Sequence, residues 1–546
     1  MILKKNDWID VTEGICLQAF ILYFLSGRHN PGPTFCGIAL LFPRTTFKTD
    51  FRRISRVSSC MCIYVYIAMS DSPAGSHFET GSLTLRAPQQ SEFIGSSSGV
   101  HFIKLVRAVC ANTPVASHAI PSNNGLRTED VLGGDDNDSD ATVRYSSLPS
   151  QTALQDYPAI PETNSSLPSQ LEAQAMAVQY FGSWHPLLPF LYGPVFMRDL
   201  NDLYRGALKE HSPAQAPSRT ACHTFLLRCL FATVNPDQSS VSPSDTLAIV
   251  GQLASRNDLS TIQAVLMAQL RCISAMALRA ASSHSGLLSR LLLHAGLHRC
   301  PFRYEQLDSD LKDLRKRIFW SAYILDRYLS QALGLPPTIA DSDIDVCPPG
   351  CPELHSSTHM VPPDGATGAP HPSCSGDGPC PDKQEFLLAH LVTHAQLVSR
   401  VLEVFHKSIH VRSVETDKVL NIRADANKWF NSLPHWPPRL GGTVTDHLDR
   451  EVKPEQTKYI PFLHVLYQQL LIAIHRPYLS LPKTSAEYGN SIQLVIRAAR
   501  QTILLLSEMD EVFWPGYLAS AWMSGLVLVF ACQTQAYGLD QGTRYV

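Results

Sequence analysis

No Cys-x2-Cys pair occurs among the 14 cysteines of this 546-residue chain. That absence removes the knuckles from which most zinc modules are built. No phosphate-cradling glycine loop runs into Lys-Ser or Lys-Thr, and no His-Glu-x2-His is present. The commonest nucleotide-binding and metalloprotease sites are thereby excluded. Charge of one sign is lacking too. The formal net charge is −3 and the pI is near 6.7, far from the basic balance of a domain that grips phosphates. Most of the chain therefore does not touch nucleic acid. The apolar runs at 15–25 and 57–69 fall short of the roughly 20 residues that a membrane-spanning helix needs. Asp7, Asp10 and Glu13 interrupt the approach to the first run and no cleavage pattern follows it, which reads against a signal peptide. The cysteines show no framework spacing, and Cys222, Cys229 and Cys272 fall inside helical patterns, as suits free buried thiols in a reducing compartment.

What is present is apolar periodicity. Hydrophobic residues make up 45% of the chain, enough for a large core. The organising stretch is Leu314 to Pro348. Ile318, Ala322, Leu325 and Leu329 form one stripe and Phe319, Tyr323 and Leu333 a second, an apolar arc too wide for a surface helix. The spacing predicts a central, buried helix that stops at a left-handed Gly334 cap followed by Pro336 and Pro337. An extended acidic segment, Asp341 to Asp345, follows. Asp326 and Arg327 lie within the helix. A buried carboxylate needs a partner, so Asp326 is expected to pair with an arginine or histidine on a neighbouring helix, His294 and His298 being at hand. Its other reading is ligand binding or catalysis.

Arg317, Trp320, Ile324, Leu325, Asp326, Arg327, Leu329, Leu333 and Gly334, then two prolines and Asp341-x-Asp343-Ile344-Asp345, resemble the core of the fungal-specific transcription factor domain. That domain is the middle homology region of the binuclear zinc-cluster regulators. Other segments match in the expected order: Tyr180-Phe-x3-His185-Pro-x2-Pro189-Phe with Val195-Phe196, Ala295-Gly-Leu-His298-Arg, Trp429-x3-Leu433-Pro434, and His475-Arg476-Pro477-Tyr-Leu479. The resemblance covers roughly 91–538. It implies an all-α regulatory domain and brings no catalytic residues. The family reads DNA through a six-cysteine zinc cluster, which this chain lacks. DNA contact, and zinc with it, are therefore expected only through a missing or separate module. A nuclear location, a homodimer, and a small-molecule inducer or co-regulator protein as partner are further implications.

Along the chain, residues 1–90 read as an atypical, poorly ordered extension, with Met69 an alternative start. Residues 91–110 hold a glycine and serine element, similar to one that often precedes the domain in this family. Residues 111–169, rich in Ser, Pro, Asn and Asp, read as a disordered linker. The regulatory domain spans 170–546. Helices are expected at 222–234, 244–254, 261–281, 287–297, 386–409, 418–431, 460–475, 491–508 and 514–537. Ser242 or Ser244 and Ser260 are the expected N-caps. His475 and Arg476 are placed as cations at a helix C-terminus. The segment 514–537 carries no charge and reads as a core helix in preference to a membrane span.

A loop insertion at 347–382 interrupts the domain. Cys347, Cys351, His355 and His359 recur there at intervals of four, donors that could hold zinc, although the spacing matches no known pattern. The basic group Lys312, Arg315, Lys316 and Arg317 reads as the solvated face of its helix, with nuclear import as the other reading. The preferred function is a transcription regulator whose helical domain this chain supplies. The alternative is an interaction or dimerisation scaffold without its own DNA reader, and the remotest is a magnesium-dependent helical enzyme using Asp341, Asp343 and Asp345.

Overall fold

The computed structural model describes residues 3–4, 82–87, 90–99, scattered helical positions between 102 and 109, and 167–538 apart from 206–215, 237–240, 254–257, 352, 356–384, 407–415, 435–456, 510 and 513. The apolar runs near the N-terminus, the linker up to 166 and most of the loop insertion lie outside the described residues.

Twelve helices appear among the described residues, and the all-α expectation holds. In order they are α1 (Gln170–Ser183), α2 (Gly193–Tyr204), α3 (Ala216–Val234), α4 (Pro243–Leu253), α5 (Leu259–Ser274), α6 (Leu278–His294), α7 (Ser309–Leu333), α8 (Phe386–Phe405), α9 (Thr416–Asn431), α10 (Ile460–His475), α11 (Ala486–Glu508) and α12 (Gly516–Gln533). The only strands described form two small antiparallel pairs. Strand β1 (Leu3–Lys4) meets β4 (Glu511–Val512), and β2 (Ser82–Ala87) folds back on β3 (Gln90–Ile94), Leu83 opposite Phe93. The second pair crosses the boundary expected at residue 90.

Helix α7 is the axis. Asp308 caps its start by accepting from Leu311 N at 2.7 Å, and Gly334 ends it with φ +73°. Both apolar stripes are buried. On one side α7 packs on α6, which lies on α5, and α5 on α3. On the other it packs on α8, which carries α9 and α10; α10 lies on α11 and α11 on α12. One core runs from α1 through α10 and takes in Leu505 and Leu506 of α11 and Tyr517 of α12, and a smaller one joins the rest of α11 and α12 to Phe102, Ile103 and Val106. Helix α12 is long and apolar enough to cross a membrane but is largely buried against its neighbours. A core helix, apolar all round, is what the uncharged sequence anticipated.

Several local expectations need correction. The helix expected at 261–281 is two helices, broken at Met276, which adopts φ +61°. Ala277 N bonds back to Cys272 O and Met276 N to Ile273 O, closing α5 with a left-handed residue where no glycine or proline marked the place. Helix α5 is capped by Asp258, which accepts from Thr261 N at 3.0 Å, and not by Ser260. For α4, Ser242 is the cap, exchanging bonds with Asp245. The segment Asp341–Asp343 is a 3-10 turn, not extended chain.

Candidate functional site

Asp326 and Arg327 lie at the centre of a buried polar network. Their side chains are 3% and 1% exposed. Asp326 accepts from the Ser285 hydroxyl on α6 at 2.9 Å, from Thr338 Oγ1 at 2.7 Å and Thr338 N at 3.1 Å, and pairs with Arg327 Nη1 at 2.5 Å. Arg327 Nη2 donates to Ile339 O and Asp341 Oδ1, both at 2.7 Å, and Nε to Ser399 Oγ at 3.2 Å. Ser399 donates to Asp341 Oδ2 at 2.6 Å and Tyr323 to Oδ1 at 2.8 Å. The guanidinium also lies 4.1 Å from the Tyr323 ring centroid. Burial alone would lower the Arg327 pKa, but Tyr323, Asp326 and Asp341 outweigh it and raise it. The partner of Asp326 is therefore its own neighbour on α7, not a cation on another helix. Neither His294 nor His298 reaches it.

The acidic run divides its work. Asp341 faces Arg327. Asp345 accepts from Cys300 N at 2.6 Å and pairs with Arg303 Nε at 3.2 Å, while its own N–H donates to His298 O at 3.2 Å. Asp343 is exposed. Three carboxylates aimed at three places cannot share one magnesium ion. Trp320 donates from Nε1 to Cys347 O at 3.2 Å, so α7 fixes this whole segment. The basic group is not a solvated face: Arg315 closes α6 by donating to Ala295 O at 2.6 Å, Lys316 is buried against Glu353, and Arg317 is half-buried, its pKa lowered first by burial.

Three motifs separate in sequence meet at the C-terminal end of α7. Gly95 N donates to Leu333 O at 3.1 Å, and the backbones of Gly95 and Gly334 pack so closely that a Cβ on either would collide with the other. Ser97 Oγ reaches Ser330 O and Gln331 O at 3.4 Å, and Arg476 Nη2 donates to Ser96 O and Ser97 O at 2.8 Å. Residues Gly95 to Gly99 have the Gly-x-Ser-x-Gly spacing of a hydrolase elbow. Here their backbone serves as a docking turn and the middle hydroxyl faces carbonyls. Pro477 sits at the start of the 3-10 turn Arg476–Ser480 that follows α10. His475 is not a helix-end cation: burial and then Arg423 lower its pKa to about 4, and its Nδ1 faces Ser491 Oγ at 3.2 Å.

Beside this junction lies a cavity of about 450 Å³, lined by α7, α8, α10 and α12. Its wall is mostly apolar, with Ile324, Tyr328, Leu466, Phe462, Trp514 and Met523, and Met276 contributes from the α5–α6 break. Arg327 and Arg476 also reach the wall, with Gln331, Gln469 and His394 as other polar groups. Leu466, on the apolar stripe read for α10, is only partly covered because it looks into this space.

His185, His390, His394 and His475 are each lowered to about 4, burial being the largest cause. Their neutral forms are favoured in the folded state, so the stability they contribute is complete above about pH 6.5 and is lost as pH falls toward 4. We expect the melting temperature to drop steeply across that window. Replacing His394 by Phe should flatten the drop, and an unchanged pH profile would show that His394 is not buried as a neutral ring.

Of the cysteines and histidines read in the loop, Cys347 and His355 come together, Sγ to Nδ1 3.4 Å. Cys351 is held in a disulfide and His359 lies outside the described residues. The third member is Cys300, which sequence reading passed over; the three donor atoms lie within 4.8 Å of one another. A hydrogen bond from Cys347 holds the Cys300 thiol below its ordinary range, against the upward push of burial. Cys222, Cys229 and Cys272 are buried and outside any disulfide, as expected.

Residues 178–433 match the fungal specific transcription factor domain. Among curated proteins, the chain is similar to the probable transcription factor FUP6 of Fusarium proliferatum, 36% identical over 86% of this chain and 73% of that protein. It is also similar to the transcriptional activator protein acu-15 of Neurospora crassa, 21% identical over 64% of this chain and 36% of that protein. Activator of stress genes 1 of Saccharomyces cerevisiae is 24% identical over 68% and 38%. The chain thus spans little more than a third of the latter two. No solved structure matches it.

Proposed function

Because this chain belongs to the fungal specific transcription factor family, we propose that its regulatory domain, residues 170–546 with the glycine and serine element at 91–110, is the part through which a small ligand sets the activity of a transcription regulator. Regulators, not enzymes, are what the family description and the relatives' names denote. The nucleus is the expected compartment. DNA is the expected target, reached through a zinc cluster that these 546 residues do not contain. The six-thiolate cluster needs paired Cys-x2-Cys knuckles, and none is present in these residues.

The observation that carries this reading is the cavity of about 450 Å³, within the size range of small-molecule sites. An apolar body would fill the wall formed by Ile324, Phe462 and Trp514. A carbonyl or anionic end would lie toward Arg327 and Arg476. Both arginines already hold structural bonds, to Asp341 and to the serine turn, so a ligand competing for them would shift the balance between two packings of the same helices.

Filling the space tests the proposal. In the purified chain, Ala473→Trp on α10 should weaken binding of an apolar fluorescent probe tenfold or more while leaving the melting temperature unchanged or raised. In cells, the same change should make a reporter insensitive to inducer. Equal probe affinity in both proteins would sink the reading.

A further inference from the structure

We propose that Cys300, Cys347 and His355 bind one zinc ion, at a site distinct from the family's DNA-reading cluster, and that Glu353 or a water completes four-fold coordination. Tetrahedral zinc, with Zn–S about 2.3 Å and Zn–N about 2.0–2.1 Å, sets neighbouring donor atoms about 3.5–3.8 Å apart. Cys347 Sγ and His355 Nδ1 are already 3.4 Å apart, and all three donors lie within 4.8 Å. Closing the widest of these separations by roughly 1 Å would bring them onto one ion.

The two sulfurs come from parts of the chain that the fold holds rigidly. Cys300 opens the 3-10 turn after α6, and its N–H is tied to Asp345, itself paired with Arg303. Cys347 is tied to α7 through its carbonyl and Trp320. Both cysteines are buried, while His355 is half-buried at the root of the loop insertion and leaves a path for the ion. Glu353 stands next in reach, its Oε2 3.8 Å from Cys300 Sγ and its Oε1 held by Lys316. Two thiolates and a carboxylate around Zn²⁺ leave one negative charge, which the buried Lys316 ammonium offsets. Such an outer partner is what metal sites use to orient a ligand. The thiol protons leave to solvent on binding. Cys222, by contrast, faces a backbone carbonyl and the Thr261 hydroxyl. The bound ion would clamp the start of the insertion to the turn after α6, and with it the segment that carries Asp341 and Asp345.

The test uses the full chain, expressed with zinc and dialysed against metal-free buffer. We expect about one zinc per chain by elemental mass spectrometry, and cobalt substitution should give the intense visible bands of tetrahedral coordination with a thiolate charge-transfer band. Cys300→Ser and Cys347→Ser should lose the metal and the band. His355→Gln, at the edge of the folded body, should weaken retention by tenfold or more without unfolding the protein, as judged by circular dichroism. Cys222→Ser should keep its zinc. The proposal is overturned if the wild-type chain holds no zinc and gives no thiolate–cobalt band, if Cys347→Ser retains the metal, or if the isolated protein carries a Cys300–Cys347 disulfide.

Discussion

Asp326→Ala should destabilise the chain by about 3–5 kcal/mol, the usual cost of breaking a buried pair by removing one partner. Arg327, 1% exposed, would keep Asp341 but lose its closest carboxylate, while Ser285 and Thr338 would lose their acceptor. Asp326→Asn should cost less, because the amide oxygen still accepts from Thr338. Replacing Asp326 and Arg327 together by Leu and Met should cost less than the sum of the single changes, since no charge is then orphaned between them. Thermal and denaturant melts of the wild type, Asp326→Ala, Asp326→Asn, the single changes Asp326→Leu and Arg327→Met, and the double variant check this. A melting midpoint unmoved by Asp326→Ala would show that the network is solvated.

The second large effect is expected from Gly95→Val. A side chain at Gly95 meets the Gly334 backbone, which cannot give way because Gly334 holds the left-handed cap of α7 at φ +73°. The turn must lift. It then loses Gly95 N to Leu333 O and both bonds from Arg476, the latter worth about 1.5–3 kcal/mol each as bonds to a charged group. Because Ser97, Ser98 and Gly99 also wall the cavity, Gly95→Val should open it and weaken probe binding together with stability. Limited proteolysis should cut near residue 100 in the variant and spare the wild type. Equal resistance would mean the turn is not docked.

How much of this was legible depends on whether the signal is local. The axis helix, its Gly334 stop and the burial of Asp326 were readable, because periodicity and capping are written in adjacent residues. The partner of Asp326 was misread because adjacent residues on a helix do not ordinarily face one another. The long arginine side chain folds back, and the turn at Thr338 to Asp341 closes over both. The break at Met276 carried no glycine or proline, so no local signal marked it. Cys300 escaped notice because a metal site was sought within one loop, and its partner Cys347 lies 47 residues on across α7. Residues Gly95 to Gly99 were recognised as an element, but their meeting with Gly334 and Arg476 is tertiary and no spacing encodes it.

The serine turn also sets a schedule. It is bonded to Arg476, 380 residues further along the chain. During synthesis at about 5–20 residues per second, the turn waits roughly 20–80 seconds before the partner that completes its seat leaves the ribosome. Closing so long a loop costs little more than closing one half as long, since the entropy grows only logarithmically. The delay, not the free energy, is the hazard. Until α10 emerges, the end of α7 and the apolar hollow beside it stand open, so nascent chains of this protein should depend on chaperones longest over that interval.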